Sequence, residues 1–198
     1  MSQLLKNKMK IALAQLNPKV GDVKGNISKL ISIRNDLSKD VDIMVVPELY
    51  VTGYPIDDLV LRNDFLELVE NEISDLAKLT NDGKAAIILG SPRKDQDKFR
   101  NSVFVLDQGK ILSFRDKHNL PNTGVFDEQR IFTPGSLSGP VKIRETLVGL
   151  PICEDIWNET VIDCLSETGA EIIISINASP YTTKKIDQRM SVAVSRVF

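Results

Sequence analysis

The sequence contains few of the residues that build disulfide frameworks or zinc sites. Its 198 residues include two cysteines, Cys153 and Cys164, and a single histidine, His118. Because the cysteines form no C-x-x-C pair, a disulfide-stapled fold and a Cys/His zinc site are both poorly supported. A Ser-His-Asp triad would have to use His118.

The sequence also lacks a long apolar run and an excess of positive charge. Lys and Arg number 25 against 27 Asp and Glu, a net charge of −2, which leaves no basic surplus to neutralise nucleic-acid phosphates. No apolar segment is long enough to cross a bilayer, and charged residues interrupt residues 1–10, where a secretion signal would begin. The sequence therefore predicts a cytoplasmic protein that binds neither nucleic acid nor a membrane.

What the sequence does contain is an average globular composition, with 42% hydrophobic and 26% charged residues. Apolar patterns alternate along it between strand-like runs and helical spacing. The strand-like runs are 11–16, 42–47, 85–90, 101–106, 110–114, 147–153 and 171–176, and the helical ones are 26–39, 65–79 and 156–167. This order predicts an α/β protein with a mixed sheet that contains parallel β-α-β units and a hairpin turning at 107–109.

Residues 1–198 are predicted to form a single domain, since no repeat, low-complexity tract or linker interrupts them. The last segment, residues 190–198, has the pattern of an amphipathic helix that ends at an apolar residue without a glycine cap or a polar tail. We therefore expect the chain to end inside its domain.

Three polar residues follow predicted strands, where functional groups gather in open α/β sheets: Glu48, Lys117 and Cys153. A carboxylate can act as a general base, a lysine can stabilise an oxyanion, and a cysteine can act as a nucleophile. Cys153 precedes a predicted helix, whose N-terminus would lower the pKa of its thiol. Each residue also has a structural interpretation, as an exposed acid, a solvated lysine and a small buried side chain. Composition and spacing alone thus lead no further than the hypothesis of a thiol hydrolase.

Other polar residues carry weaker signals. Cys164 falls among apolar residues of the helical pattern 156–167, which predicts that it is buried. The adjacent carboxylates Asp57 and Asp58 lie beside a proline, and the pair Glu154 and Asp155 is placed to cap a helix, so we predict no metal site. No glycine-rich nucleotide-binding motif occurs.

Four segments, in this order, resemble the nitrilase superfamily of carbon-nitrogen hydrolases. They are VPELYVTGYP at 46–55, KHNLPN at 117–122, GVFDE at 124–128 and ICEDIW at 152–157. Within the superfamily, the last two motifs and LRNDF at 61–65 resemble the glutaminase domain of the glutamine-dependent NAD synthetases. The resemblance spans nearly the whole chain and implies a nitrilase-like, four-layer α-β-β-α sandwich with mixed sheets, whose C-terminal part is missing.

The resemblance also implies a catalytic triad. Glu48 would be the general base, Lys117 the oxyanion stabiliser and Cys153 the nucleophile, with Glu128 as a second glutamate that supports them. The implied reaction is attack of the Cys153 thiolate on the side-chain amide of L-glutamine, release of ammonia, and hydrolysis of the thioester by water that Glu48 activates.

Four further residues match positions that bind the substrate in the family: Tyr54, Thr123, Glu154 and Ser179. Thr123 stands where the family usually has an aromatic residue, commonly tyrosine. The resemblance thus implies a glutamine pocket with one smaller and less apolar wall.

The family assigns ATP and Mg to a separate synthetase domain that adenylates and then amidates deamido-NAD, and this domain is absent from residues 1–198. For the amidase step the resemblance implies no cofactor and no metal. It implies L-glutamine as substrate, a separately encoded synthetase domain as partner, and a homo-oligomer for a complete domain. Two alternatives remain open: a truncated, inactive remnant or non-catalytic module that only binds partners, and a free-standing amidase for another linear amide.

Overall fold

The computed structural model describes residues 8–183 and 185–196, which form two β-sheets and four α-helices. The strands are β1 (Ile11–Leu13), β2 (Ile43–Val45), β3 (Ala86–Asp95), β4 (Lys98–Asp107), β5 (Lys110–Asp116), β6 (Val141–Ile143), β7 (Thr146–Gly149) and β8 (Ile172–Ile173). The helices are α1 (Val23–Asp36), α2 (Asn63–Leu79), α3 (Glu159–Glu167) and α4 (Lys185–Ser195). None of the helices in these ranges combines the length and apolar character needed to span a bilayer. The predicted C-terminal helix extends to Val197 and Phe198, which lie outside the described residues.

The first sheet has the strand order β1-β2-β3-β4-β5 and is mixed, as predicted. Strands β1, β2 and β3 run parallel, with α1 and α2 as the crossover connections that parallel pairing requires. Strands β4 and β5 are antiparallel, and Asp107 pairs with Lys110 across their turn. Both intervening residues, Gln108 and Gly109, have positive φ. Two-residue turns of this kind match the twist of a hairpin, so the predicted hairpin is confirmed.

Side chains alternate across the first sheet, so its strands contribute to two different cores. On one face, Met44, Ile87 and Phe104 pack against α1 and α2, which contribute Leu30 and Ile73 among others. This face accounts for the apolar stripe that the sequence shows along α2. The two helices therefore form the outer layer on this side of the sheet.

The opposite face of the first sheet packs against the second sheet, whose strand order is β6-β7-β8. Ile43 and Ile88 of the first sheet share this core with Val148 of the second. On the outer side of the second sheet, Leu165 of α3 packs against Ile173. The layers are therefore helices, sheet, sheet and helix, which is the predicted α-β-β-α sandwich.

The connection between β7 and α3 differs from the prediction. The strand predicted to reach Cys153 ends at Gly149, and the helix predicted from Ile156 begins at Glu159. A 3-10 helix, Cys153–Trp157, occupies the intervening segment. The α-helix starts later because Asn158 caps it, with its side chain accepting a hydrogen bond from the backbone of Thr160 at 3.0 Å.

Candidate active site

Glu48 lies in the turn that follows β2 and is buried, at 2% exposure. The next residue, Leu49, has a φ of +49°, a left-handed conformation that is uncommon for leucine. The turn remains attached to β3, because the backbone N–H of Val51 donates to Gly90 O at 3.2 Å. The predicted position of Glu48 just past the end of β2 is confirmed.

Lys117 follows β5 and is also buried, at 1% exposure. Its backbone N–H donates to Asn101 O at 2.8 Å, which continues the pairing of β4 and β5. Its Nζ lies 2.7 Å from Glu48 Oε1 and 2.8 Å from Glu128 Oε1. One buried ammonium therefore joins two buried carboxylates, and the structure brings three of the predicted residues together.

Cys153 begins the 3-10 helix that follows the second sheet. Its φ is +47°, and such strained backbone in a residue other than glycine is concentrated at functional sites. Its backbone N–H donates to Ile176 O at 2.9 Å, and its Sγ lies 3.3 Å from Ser179 Oγ. The predicted nucleophile thus contacts a residue predicted to bind the substrate.

A short segment of the loop after β8 connects the thiol to the carboxylate. The backbone N–H of Ala178 donates to Glu48 Oε2 at 2.9 Å, while the neighbouring Ser179 contacts the Cys153 thiol. The other oxygen, Glu48 Oε1, accepts from Asn101 Nδ2 at 2.8 Å. Both oxygens of Glu48 are therefore held, and Oε2 is bonded to the residue that precedes Ser179.

The charges of the cluster shift the pKa of its members. Burial alone would lower the pKa of Lys117, but the charges of Glu48 and Glu128 outweigh burial and raise that pKa above its ordinary value. Burial raises the pKa of the Glu128 carboxyl, an effect that Lys117 opposes and the charge of Glu48 reinforces. The lysine is therefore held in its charged form between the two acids.

Burial raises the pKa of the Cys153 thiol to about 12, with the charge of Glu48 adding to the effect and Lys117 opposing it. The prediction that a helix N-terminus lowers this pKa is therefore wrong. The helix here is a five-residue 3-10 turn, and the sulfur is buried near a carboxylate, which disfavours the thiolate. At neutral pH the thiol is protonated, so it needs a base to become a nucleophile.

Tyr54 supports the second carboxylate of the cluster. Its hydroxyl donates to Glu128 Oε1 at 3.1 Å, and its ring lies 6.3 Å from the ring of Phe126. Burial, together with the charges of Glu128 and Glu48, raises the pKa of the tyrosine hydroxyl. It therefore stays protonated and donates.

Two surface cavities are lined by the remaining residues that were predicted to bind the substrate. A cavity of about 470 Å³ is lined by Thr123 and Glu154 among others. A second cavity, of about 350 Å³, is lined by Ser179 and Arg189 among others. Trp157 contributes to both cavities. The residues that the resemblance assigned to one pocket are thus distributed over two neighbouring openings.

Sequence reasoning missed two buried residues of this site. Asn101 begins a predicted strand, and nothing in its sequence position indicates that it reaches Glu48. Asp155 was predicted only to cap a helix, and its Oδ2 does accept from the backbone N–H of Ile152 at 3.0 Å. Its Oδ1 also accepts from the backbone N–H of His118, at 3.1 Å. The carboxylate therefore joins the residue after Lys117 to the residue before Cys153.

The weaker signals of the sequence have different outcomes. Cys164, predicted to be buried, is partly exposed, because it lies at the edge of the apolar face of α3. Asp57 and Asp58 open the 3-10 helix Asp57–Leu61. Within residues 8–183 and 185–196, no group of three or more His, Cys, Asp or Glu side chains could hold a metal ion.

The buried acid, lysine and cysteine lie on an α-β-β-α sandwich. We compared the sequence with models of known protein families, and the match agrees with this arrangement. The carbon-nitrogen hydrolase profile matches residues 10–196, nearly the whole chain. The chain belongs to the carbon-nitrogen hydrolase family. Its membership accounts for the order of the four motifs along the chain.

Curated relatives of this carbon-nitrogen hydrolase are much longer proteins. It is 36% identical over 192 residues to the glutamine-dependent NAD(+) synthetase of Rhodobacter capsulatus, covering 96% of the chain and 35% of the relative. It is 39% identical over 181 residues to the enzyme of the same name from Thermotoga maritima, covering 90% of the chain and 31% of the relative. The chain spans about a third of the length of these relatives.

Solved structures show the same fold. A glutamine-dependent NAD+ synthetase from Acinetobacter baumannii superposes with a TM-score of 0.87 at 33% identity, covering 94% of this chain and 35% of that one. A carbon-nitrogen hydrolase from Helicobacter pylori superposes with a TM-score of 0.74 at 21% identity, covering 94% and 67%. The nitrilase-like fold implied by the motifs is confirmed.

Proposed function

We propose that this chain hydrolyses L-glutamine to glutamate and ammonia through a thioester on Cys153. The observation that carries the proposal is the buried contact of Lys117 with both Glu48 and Glu128, beside the Cys153 thiol. Burial raises the pKa of the Cys153 thiol, so the thiol needs a base, and Glu48 lies close enough for its charge to act on that thiol. Similarity to glutamine-dependent NAD synthetases supports glutamine as the amide.

In the first step Glu48 accepts the thiol proton, and the sulfur bonds to the side-chain carbonyl carbon of glutamine. The carbonyl π electrons move onto oxygen. Lys117 has three N–H donors, and its bonds to Glu48 and Glu128 leave the third for this oxyanion. When the tetrahedral intermediate collapses, the C–N bond breaks, and the proton on Glu48 moves to the nitrogen, which leaves as ammonia.

In the second step water attacks the thioester carbonyl, and Glu48 accepts a proton from it. The C–S bond breaks, glutamate leaves, and the proton on Glu48 returns to the sulfur of Cys153. One glutamine and one water are consumed for each glutamate and ammonia formed. Glu128 accepts hydrogen bonds from the Tyr54 hydroxyl and from the ammonium of Lys117, and it keeps that ammonium in place through both steps.

We further propose that residues 1–198 are the amidase part of an NAD synthetase and that its ammonia passes to a synthetase domain. The support is that the chain spans about a third of the length of relatives named glutamine-dependent NAD(+) synthetase. ATP and Mg belong to that other domain in this proposal, and the amidase step requires no cofactor. Assembly into a homo-oligomer stays a prediction.

The test is ammonia release from L-glutamine by the purified chain. We expect Cys153→Ala to abolish it and Cys164→Ala, the matched change at the other cysteine, to retain it. Glu48→Gln should reduce kcat by about 10²- to 10⁴-fold, the usual contribution of a general base. Hydroxylamine added during turnover should capture the thioester as γ-glutamyl hydroxamate.

Two outcomes would favour the alternatives. Faster ammonia release from short aliphatic amides than from glutamine would reject the substrate and favour a free-standing amidase. A wild-type chain with fixed tertiary packing in near-UV circular dichroism, but with no activity on either substrate, would favour a non-catalytic remnant.

A further inference from the structure

The side chain of Asn101 lies between the two carboxylates of the cluster and is 1% exposed. Its Nδ2 donates to Glu48 Oε1 at 2.8 Å and lies 3.5 Å from Glu128 Oε2. Its backbone O accepts from the N–H of Lys117 at 2.8 Å. Asn101 therefore contacts three of the residues to which the proposed reaction gives a role.

The amide oxygen of Asn101 has no hydrogen-bond partner among the described residues, although it is buried. Native proteins keep few buried acceptors unpaired, because the lost hydration is not replaced. Turning the amide over would place this oxygen against two carboxylates, which only accept hydrogen bonds when ionised. The carboxylates thus dictate the orientation of the amide.

We propose that Asn101 is a positioning residue for the general base. By holding Glu48 Oε1, it keeps Oε2 on the backbone N–H of Ala178, the neighbour of the serine that contacts the Cys153 thiol. This inference rests on the proposed hydrolysis of glutamine. Without Asn101, Oε1 keeps the Nζ of Lys117 and Oε2 keeps the backbone N–H of Ala178, so the carboxylate is held by fewer donors and its charged form loses a hydrogen bond.

The electrostatic surroundings of Glu48 make a pH profile a specific readout. The ammonium of Lys117 contacts it directly, and the carboxyl of Glu128, the thiol of Cys153 and the hydroxyl of Tyr54 lie around it. Replacing Asn101 keeps all four of these groups and, besides its hydrogen bond to Glu48, removes only the 3.5 Å contact of its Nδ2 with Glu128 Oε2. Because a hydrogen bond to a carboxylate favours its charged form, removing the donor moves the acid limb of kcat/KM to higher pH.

The first variant is Asn101→Ala. We expect kcat on glutamine to fall by about 10- to 100-fold, the range for a hydrogen bond to a charged group, with KM nearly unchanged. The acid limb should move up by about one pH unit. The matched control is Ser102→Ala, the next residue of β4, which loses a 2.6 Å hydrogen bond to Asp116 on the other face of the sheet. It should keep the wild-type kcat and acid limb.

A second variant, Asn101→Leu, keeps a similar side-chain volume and tests the inference if the alanine variant does not fold. Its side chain cannot donate, so it should lose about as much kcat as the alanine variant. Near-UV circular dichroism would identify any variant that has lost its packing. A folded Asn101 variant with the wild-type kcat and acid limb would overturn the inference, as would an equal loss in Ser102→Ala.

Alkylation of Cys153 by iodoacetamide gives a readout that needs no glutamine. It is measured against pH in a Cys164→Ser background, so that only one thiol reacts. If the wild type releases no ammonia but Asn101→Ala still moves the acid limb of alkylation, the proposed function fails and the positioning role stands. If the wild type and Asn101→Ala show the same alkylation profile, the positioning role is rejected whatever the activity on glutamine.

Discussion

Gly90 of β3 packs directly against the backbone of Glu48. A Cβ added to Gly90 would lie 2.8 Å from Glu48 Cα, 2.6 Å from Leu49 N and 2.4 Å from Pro47 O. These neighbours are backbone atoms, which cannot move aside as the end of a flexible side chain can. A glycine at this position therefore allows the turn that carries the carboxylate to approach the sheet.

Gly90→Ala should therefore displace Glu48 as well as destabilise the chain. We expect a loss of about 1–3 kcal/mol in the free energy of unfolding, as for overpacking of a core, and at least a tenfold loss of kcat. Urea unfolding and ammonia release measure the two effects. The control is Gly83→Ala, where φ is +71° and no atom lies within 4 Å of the added Cβ, so stability falls and kcat does not. Wild-type kcat in Gly90→Ala would contradict this account of the glycine.

Asp155 provides a second link between distant parts of the site. Its carboxylate accepts hydrogen bonds from the backbone of His118, Asn119 and Ile152, at 3.1, 2.7 and 3.0 Å. Lys117 and Cys153 are the immediate neighbours of two of these residues. The carboxylate thus fixes the distance between the backbone segments that carry the lysine and the thiol.

We expect Asp155→Asn to reduce both stability and kcat. An amide offers one acceptor oxygen, and its NH₂ group would face a backbone N–H, so at least one donor is left unpaired. The loss should be about 1.5–3 kcal/mol in the free energy of unfolding, with kcat reduced more than KM is changed. Asp163→Asn, at an exposed position on α3, is the matched control and should resemble the wild type. An Asp155→Asn variant that loses stability but keeps kcat would restrict Asp155 to a structural role.

Glu48 and Lys117 lie just past strand ends as predicted, because buried runs that end in a polar residue can be read from the sequence, whereas the strand before Cys153 ends earlier than predicted, at Gly149. Glu48 and Lys117 both lie just past strands of the first sheet, and Cys153 follows a strand of the second. The pattern could not show that two sheets pack face to face, since alternation gives the faces of a strand and not their partners. The family resemblance supplied that layer order.

The contacts of Asn101 and Asp155 could not be predicted from the sequence for a related reason. Asn101 reaches Glu48 only because the register of β4 and β5 places it beside Lys117, and register depends on the assembled sheet. The thiol pKa was predicted in the wrong direction because burial, which sequence does not give, outweighs the effect of a short helix. Strand β6 was not predicted, because its Val-Lys-Ile sequence is not part of a longer apolar run such as those that contain β1 and β2.

A pH-dependent contribution to stability is expected far from the site, at Arg34 and Asp82. Arg34 is 4% exposed, and its guanidinium donates two hydrogen bonds, of 2.9 and 2.8 Å, to the Asp82 carboxylate. These bonds lower the pKa of Asp82 to about 2. The pKa of Asp82 in the folded chain lies below the ordinary value of 3.8. The pair therefore makes its full contribution to the free energy of unfolding above pH 3.8, and this contribution is lost as pH falls toward 2.

Asp82→Asn should therefore differ most from the wild type at neutral pH. We expect a loss of about 1 kcal/mol there, since solvent screens a carboxylate that is a third exposed. The difference should vanish as pH approaches 2, and denaturant unfolding across pH measures it. Asp75→Asn, which breaks an exposed contact to Lys78, is the control and should change stability little at any pH. A pH-independent loss in Asp82→Asn would mean that the pairing contributes through packing and not through charge.

The last prediction concerns Thr123, where the family resemblance implies an aromatic residue in place of threonine. Thr123 is exposed and lines the 470 Å³ cavity with Glu154 and Trp157, so a larger side chain there would narrow the cavity without entering the core. We expect Thr123→Tyr to bind glutamine about 2- to 10-fold more tightly, because an aromatic wall removes apolar surface from water, while kcat stays the same. Calorimetric titration of glutamine into Cys153→Ala, with and without Thr123→Tyr, measures affinity without turnover.

Val125→Tyr is the matched control in the same loop, since Val125 is 78% exposed, and it should leave affinity unchanged. Equal affinity in both pairs would mean that glutamine does not use this cavity.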